Sequence, residues 1–563
     1  MQLLRGSSRR LLLVLATLLV AAATASEALA HPAETNEHGV NESVFPRLWA
    51  GDTETTNVTA LNATDPDELL VAGTDVPLDE PPASVRTWND AEFAQLNSTG
   101  KSTVRHPRGA PTESGEYVKD ATVAIFAIQP STRAHLAPGE TPLYVPPNGT
   151  VQGLVDYRVA EPADDTEGDD HTYWSLQTHQ IESVSLSVDG SEVAATSGTQ
   201  TPELSFDSLR DHPGRTHTLT LSATITVQLQ KRERVDVECE GCPAYRWYMY
   251  TPTETVTVET STTVHEYALS VSGYRARYPN GDLGLVVYKN EPWYGYSLPS
   301  GGVRGVWRYY VARDQDWDQL TSATGTGSAT SHSPGHPLQV HAYPIEAGPT
   351  PAPRRSVDLL DVYGRQRQPA SLSPNVHLDT VHEPYTSSYG LAARIHVPNA
   401  SADELTATGL VRNSSFDAGS DTFATVPIRE SNLTLSLAEK TNETLTVAVL
   451  LRDNETGAPI ATASRDGYVV VNGERLNTSS NGTVQTTVPR TTGTVAARYD
   501  PGKWWLNIPG YVGDSDVLRV QSHTLQLLRV LYRLAIPIGL LLVAGFLIDR
   551  ITSWGFWPPW RNL

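Results

Sequence analysis

The chain has 563 residues and a formal charge of −21, long enough for roughly three or four domains with cores of their own. Lysine occurs only at Lys101, Lys119, Lys231, Lys289, Lys440 and Lys503, so nearly all the positive charge is arginine. No basic patch is present to neutralise phosphates, which excludes a nucleic-acid surface. H-E-x-x-H, G-x-S-x-G, P-loop and Rossmann fingerprints are absent, and with them the usual carriers of catalytic, metal or cofactor chemistry. No enzyme activity, cofactor or metal is expected.

Residues 1–30 read as a signal peptide. Arg5, Arg9 and Arg10 precede an apolar run from Leu11 to Ala23, and Ala28-Leu29-Ala30 supplies small residues for cleavage. Ser8-Arg9-Arg10-Leu11-Leu12-Leu13 resembles a twin-arginine export signal, with an ordinary Sec signal as the alternative. Residues 31–115 are polar and rich in Thr, Asn, Asp and Pro, a composition that gives a loose, partly disordered segment. One short helix is expected at 87–96.

A central β domain follows at 116–398. Strands are predicted at 118–128, 151–158, 181–188, 283–288, 303–312, 338–343 and 391–397, separated by Gly, Pro and Asp clusters. Its dominant feature is a long hairpin at 216–262. Leu219, Leu221, Ala223, Ile225, Val227 and Leu229 alternate with Thr220, Thr224, Thr226 and Gln228, the period of a strand with one buried face. A two-residue turn at Glu240-Gly241 sets Ile225 opposite Val256, Ala223 opposite Val258 and Leu229 opposite Pro252. A slip of one residue would break this apolar match. At roughly 3.3 Å per residue, Leu219 to Val237 would span about 60 Å, so the hairpin is expected to project as an arm.

Cys239 and Cys242 flank that turn and are the only cysteines. In an exported protein they read as a disulfide stapling the hairpin tip, with a metal pair or a redox pair as alternatives. Beside them Tyr245, Trp247, Tyr248 and Tyr250 form an aromatic cluster with Arg246 and Met249. Rings that join apolar area to a polar edge suit a contact tip for a partner or a bilayer, the alternative being packing on a neighbouring strand. A second aromatic set, Trp293, Tyr294, Tyr296, Trp307, Tyr309, Tyr310 and Trp317, stands among Arg304, Arg308, Asp314 and Asp316. It reads as core, or as a platform for sugars. The acidic run Asp164, Asp165, Glu167, Asp169 and Asp170 lacks calcium-loop spacing.

Residues 399–511 form a further β unit. Its order of Gly457-Ala458-Pro459-Ile460, Val469-Val470-Val471-Asn472-Gly473, Asn481-Gly482-Thr483-Val484 and Val495-Ala496-Ala497-Arg498-Tyr499 resembles Ig-like and transthyretin-like β-sandwich repeats of prokaryotic surface proteins. That resemblance implies a spacer module. A juxtamembrane segment at 512–533 leads to a membrane-spanning helix at 534–557, with Trp554, Trp557 and Trp560 as an interfacial belt and a short cytoplasmic tail at 558–563. The expected fold class is therefore mainly β: a multi-domain, sandwich-type ectodomain with a long hairpin arm, a signal peptide and one C-terminal transmembrane helix, single-pass type I in the cell membrane.

N-x-[ST] sequons stand at Asn41, Asn57, Asn62, Asn97 and Asn148, then at Asn399, Asn413, Asn432, Asn442, Asn454, Asn477 and Asn481, leaving the middle free of them. The acidity, scarce lysine, sequons and single span together resemble surface proteins of haloarchaea. This implies adhesion, cell contact or assembly of an envelope complex, with the lipid bilayer and other envelope or cell-surface proteins as partners. A viral-type spike or fusogen acting through the hairpin tip, and an extracellular carbohydrate-binding protein, are the alternatives.

Overall fold

A computed structural model describes residues 76–96, 99–167, 171–207, 209–211, 215–236, 245–298, 301–352, 356–372, 380–490, 493–520, 523–553 and 555. The signal peptide, the sequons at Asn41, Asn57, Asn62 and Asn97, both cysteines, and Trp554, Trp557 and Trp560 lie outside the described residues. The fold is mainly β and divides into two compact units. One takes in the described residues up to Gly273 with Val286–His396 and Ala400–Thr422; the other takes in Tyr274–Leu285, Val397–Asn399 and the described residues from Phe423 onward.

In the first unit, helix α1 (Ser84–Phe93) begins three residues before the predicted start. Val85, Trp88 and Phe93 are buried along it. Asn89, buried beside them, donates to the Leu338 carbonyl at 3.1 Å and accepts the Leu338 N–H at 2.7 Å, so the helix is tied to a strand by both backbone groups of one residue. The predicted strand at 303–312 is two strands, Gly301–Arg304 and Trp307–Arg313, broken at Gly305. A side chain at Gly305 would meet the Trp293 carbonyl oxygen at 2.5 Å, so only glycine fits there.

A ten-stranded sheet organises this unit. The arm belongs to it and is built from β1 (Thr172–Val188), β2 (Thr216–Asp236), β3 (Tyr245–Tyr250) and β4 (Thr253–Glu266). The β2–β4 register runs from Thr216 opposite His265 to Gln228 opposite Thr253, and includes Ile225 opposite Val256 and Ala223 opposite Val258, as the apolar pattern requires. Pro252 interrupts the leg without shifting it: Leu229 donates to the Pro252 carbonyl at 3.0 Å, and pairing resumes with Lys231 opposite Tyr250 out to Asp236 opposite Tyr245.

The root of the arm is held by its buried face. Leu219, Leu221, Ala223, Ile225, Val227 and Leu229 are all buried in one core with Val118, Val123, Val151 and Val155 of a facing four-stranded sheet. Burying each Leu, Ile or Val side chain contributes about 1.5–3 kcal/mol. Glu254 adds a polar clasp, accepting the N–H groups of Glu116, Tyr117 at 2.5 Å and Val118 at 2.7 Å. Gly115 lets that carboxylate in, since a Cβ there would overlap it.

The arm is wider than a hairpin. β1 pairs β2 on its other side from Leu219 opposite Val188 out to Glu233 opposite Thr172. Sequence periodicity finds only the 181–188 part of β1, because between Tyr173 and Gln180 every side chain is exposed or half-buried and only Trp174 and Leu176 pack on the core.

In the second unit two four-stranded sheets enclose a core that includes Leu433, Leu445, Val447, Val449, Val469 and Val495. Asp453, buried at its rim, accepts the N–H groups of Glu455 and Thr456 and contacts Arg429. Burial pulls its carboxyl upward, but these donors outweigh it and hold the group down at about 2. Helix α2 (His523–Thr552) is continuous, so the segment expected to precede the span is helical from His523. Its stretch Leu527–Thr552 is apolar and long enough to cross a membrane, and none of it is buried.

Candidate functional site

Beyond Leu229 the core-facing pattern of β2 ends, and its side chains become Lys231, Arg232, Glu233, Arg234, Val235 and Asp236. Opposite them every residue of β3 is exposed, Trp247 at 38% and Met249 at 66%. Tyr245, Trp247, Tyr248 and Tyr250 are therefore not buried in their own unit.

Opposed residues of neighbouring strands share a face. One face of the distal arm thus carries Tyr173 of β1, Arg232 and Arg234 of β2, and Tyr245, Trp247 and Met249 of β3. Arg232 lies over the Trp247 ring at 5.0 Å and Arg234 over Tyr245 at 4.7 Å, while Tyr173 and Trp247 stand 5.6 Å apart. The other face carries Trp174, Lys231, Tyr248 and Tyr250, with the Lys231 ammonium 5.8 Å from Trp174 and 5.9 Å from Tyr250. Each cation holds a ring in place, an arrangement worth about 0.5–1 kcal/mol per pair at exposed sites.

Tyr173, Trp174, Lys231, Arg232 and Arg234 did not emerge from the sequence as site residues. The signal for the first two is the pair Tyr173-Trp174 itself, a counterpart of Trp247-Tyr248 on the opposite leg.

The second aromatic set lies elsewhere. Trp293, Tyr296, Trp307, Tyr309, Tyr310 and Trp317 are buried and Tyr294 is half-buried, which leaves little ring surface for a sugar. Lys289 is buried too, its ammonium 4.7 Å over the Trp293 ring, and burial pushes it well below the usual lysine range. Asp164 and Asp165 of the acidic run brace the start of β1, accepting the N–H groups of Trp174 and Glu167. Asp169 and Asp170 lie outside the described residues. The sequon asparagines Asn148, Asn399, Asn413, Asn432, Asn442, Asn454, Asn477 and Asn481 are all exposed.

Residues 94–267, 271–419 and 428–518 match, in that order, the N-terminal, central and C-terminal models of DUF8186, a domain of unknown function. The chain carries all three DUF8186 domains. The arm lies wholly within the N-terminal DUF8186 domain. Among solved structures the chain is similar to the Bacillus anthracis TIE protein, at 8% identity and a TM-score of 0.16, covering 73% of this chain and 57% of that one. It is also similar to the central fibronectin-III array of RIM-binding protein, at 9% identity and a TM-score of 0.12, covering 76% of this chain and all of that one. Scores this low carry no argument about function. A comparison with curated proteins finds no match.

Proposed function

We propose that this chain is a glycosylated surface protein of a halophilic archaeon, anchored by α2 with its β domains outside the cell, and that the distal arm is its contact element. It would serve adhesion, cell contact or assembly of an envelope complex, with other envelope or cell-surface proteins as partners. The observation that carries this reading is the exposure of all of β3, with aromatic rungs on both faces of a ribbon whose root is held by one buried face. Folding gains nothing from leaving Trp247 and Met249 in water, and exposed apolar clusters mark places where something else binds. The acidic surface, the exposed sequons and the Ig-like pattern of 399–511 support an extracellular spacer that presents the arm.

The test is a cell-contact assay comparing cells that display the intact chain with cells displaying Trp247→Ala/Tyr248→Ala at equal surface levels. Loss of contact with the folded variant is the expected result, and unchanged contact would overturn the reading. Flotation of the chain without α2 on liposomes separates out the fusogen alternative, which requires lipid binding that the same double substitution removes.

A further inference from the structure

The two edges of the distal arm differ. β1 lines one side of β2 as far as Glu233, whereas among the described residues nothing pairs with the outer side of β3. Backbone groups that point outward follow from the ladder. Leu229 donates toward the β3–β4 leg, to Pro252, and Arg234 donates toward β1, to His171 at 2.8 Å. Antiparallel bonding alternates along a strand, so Lys231, Glu233 and Val235 bond to Tyr250, Tyr248 and Arg246. The N–H and C=O groups of Tyr245, Trp247 and Met249 are then the outward ones.

Charge does not oppose the approach of a like strand. Between residues 231 and 250, Lys231, Arg232, Arg234 and Arg246 are matched one for one by Glu233, Asp236, Glu238 and Glu240, in a chain of net charge −21. From Leu229 to Asp236 the arm reaches about 23 Å past its buried root at roughly 3.3 Å per residue. That exceeds the screening length of about 8 Å at physiological salt, so neutral tips can meet while the acidic bodies stay screened from each other.

We propose that the occupant of this edge is β3 of a second copy of the chain, paired antiparallel across a two-fold axis at Trp247. The proposal rests on the distal arm being a contact element and names its partner. The outward groups fix the register: Trp247 faces Trp247 of the second copy, and Tyr245 faces Met249 on either side of it. On the opposite face Arg246 meets Tyr248. Ring against ring, sulfur against ring and cation against ring are all favourable cross-strand pairs. β3 has neither Pro nor Lys to block the edge, and its one charge, Arg246, is the residue that meets Tyr248 in this register.

Sedimentation of the full chain in detergent micelles tests this, combined with photo-crosslinking from benzoylphenylalanine at position 247. A dimer with crosslinks joining position 247 of both copies is expected. Met249→Pro, which removes an outward N–H, and Met249→Lys, which places a charge on the edge, should each weaken the dimer at least tenfold. A wild-type monomer at all concentrations would overturn the proposal, as would a dimer that both variants leave intact. If the chain is monomeric while Trp247→Ala/Tyr248→Ala still abolishes cell contact, this pairing fails and the contact reading stands.

Discussion

The carboxylate of Asp516 accepts the backbone N–H of Leu435 at 2.8 Å, and two residues earlier Asp514 does the same for Leu433. Strand Ile428–Lys440 pairs with Thr444–Asp453 on one side, but on the other it meets Gly510–Val512 only at residues 428–430. The two aspartates occupy the edge that β pairing leaves open. An edge sealed this way cannot template another chain, in contrast to the outer edge of β3. Replacing Asp514 and Asp516 by Ala should lower stability by about 1.5–3 kcal/mol per lost charge-assisted bond. Thermal unfolding of the full chain and the onset of aggregation are the measurements, and Asn at both positions should recover part of the loss.

Glu254 gives a pH dependence to the arm's root. Burial works to raise its carboxyl, but the N–H groups of residues 116–118 and Lys119 outweigh this and hold it below its ordinary value. A lowered folded-state value means the clasp stabilises fully above the unfolded value of about 4.3 and is lost as pH falls through the folded one. Glu254→Gln should therefore cost about 1–3 kcal/mol at neutral pH. The difference from wild type should shrink in acid, as followed by protease cleavage near 112–118.

A buried histidine pair acts over a higher range. His135 Nε2 and His341 Nδ1 lie 2.9 Å apart, and His341 stacks on Tyr310 at 4.7 Å. Burial and the neighbouring Arg133 push His135 down to about 4, and burial, with His135 and Arg133 beside it, holds His341 well below the usual histidine range. Because both rings take up a proton less readily in the folded chain than in the unfolded one, stability should be flat above about pH 6.5 and fall as the pH drops toward 4. His341→Gln should flatten that slope in melting curves recorded against pH.

The cation–ring pairs of the arm should couple weakly. A double-mutant cycle of Arg232→Ala and Trp247→Ala is expected to give about 0.5–1 kcal/mol, read from unfolding in denaturant. Each single variant should keep the wild-type fold.

The arm's register was legible because residues 219–229 have one strictly apolar face, which leaves a strand no second way to pair. The third strand of the arm was illegible beyond Ile181 because residues 172–180 bury no side chain fully, and only Trp174 and Leu176 lean on the core, too few to mark a face. Helix α1 was misplaced by three residues since its start has no side-chain cap. Aromatic content alone also could not separate Trp247 from Trp293: both sit in strands rich in Tyr, and only the partner across each strand decides which ring meets water.

Both legs of the arm enter one sheet, side by side, over the whole span from Thr216 opposite His265 to Gln228 opposite Thr253. A pull on the tip is therefore directed along the strand axes, and it loads that ladder and the β1–β2 ladder in shear, many bonds at once, instead of peeling them apart one pair at a time. A molecule gripped at residues 245–250 would carry tension into its own core before any strand came loose.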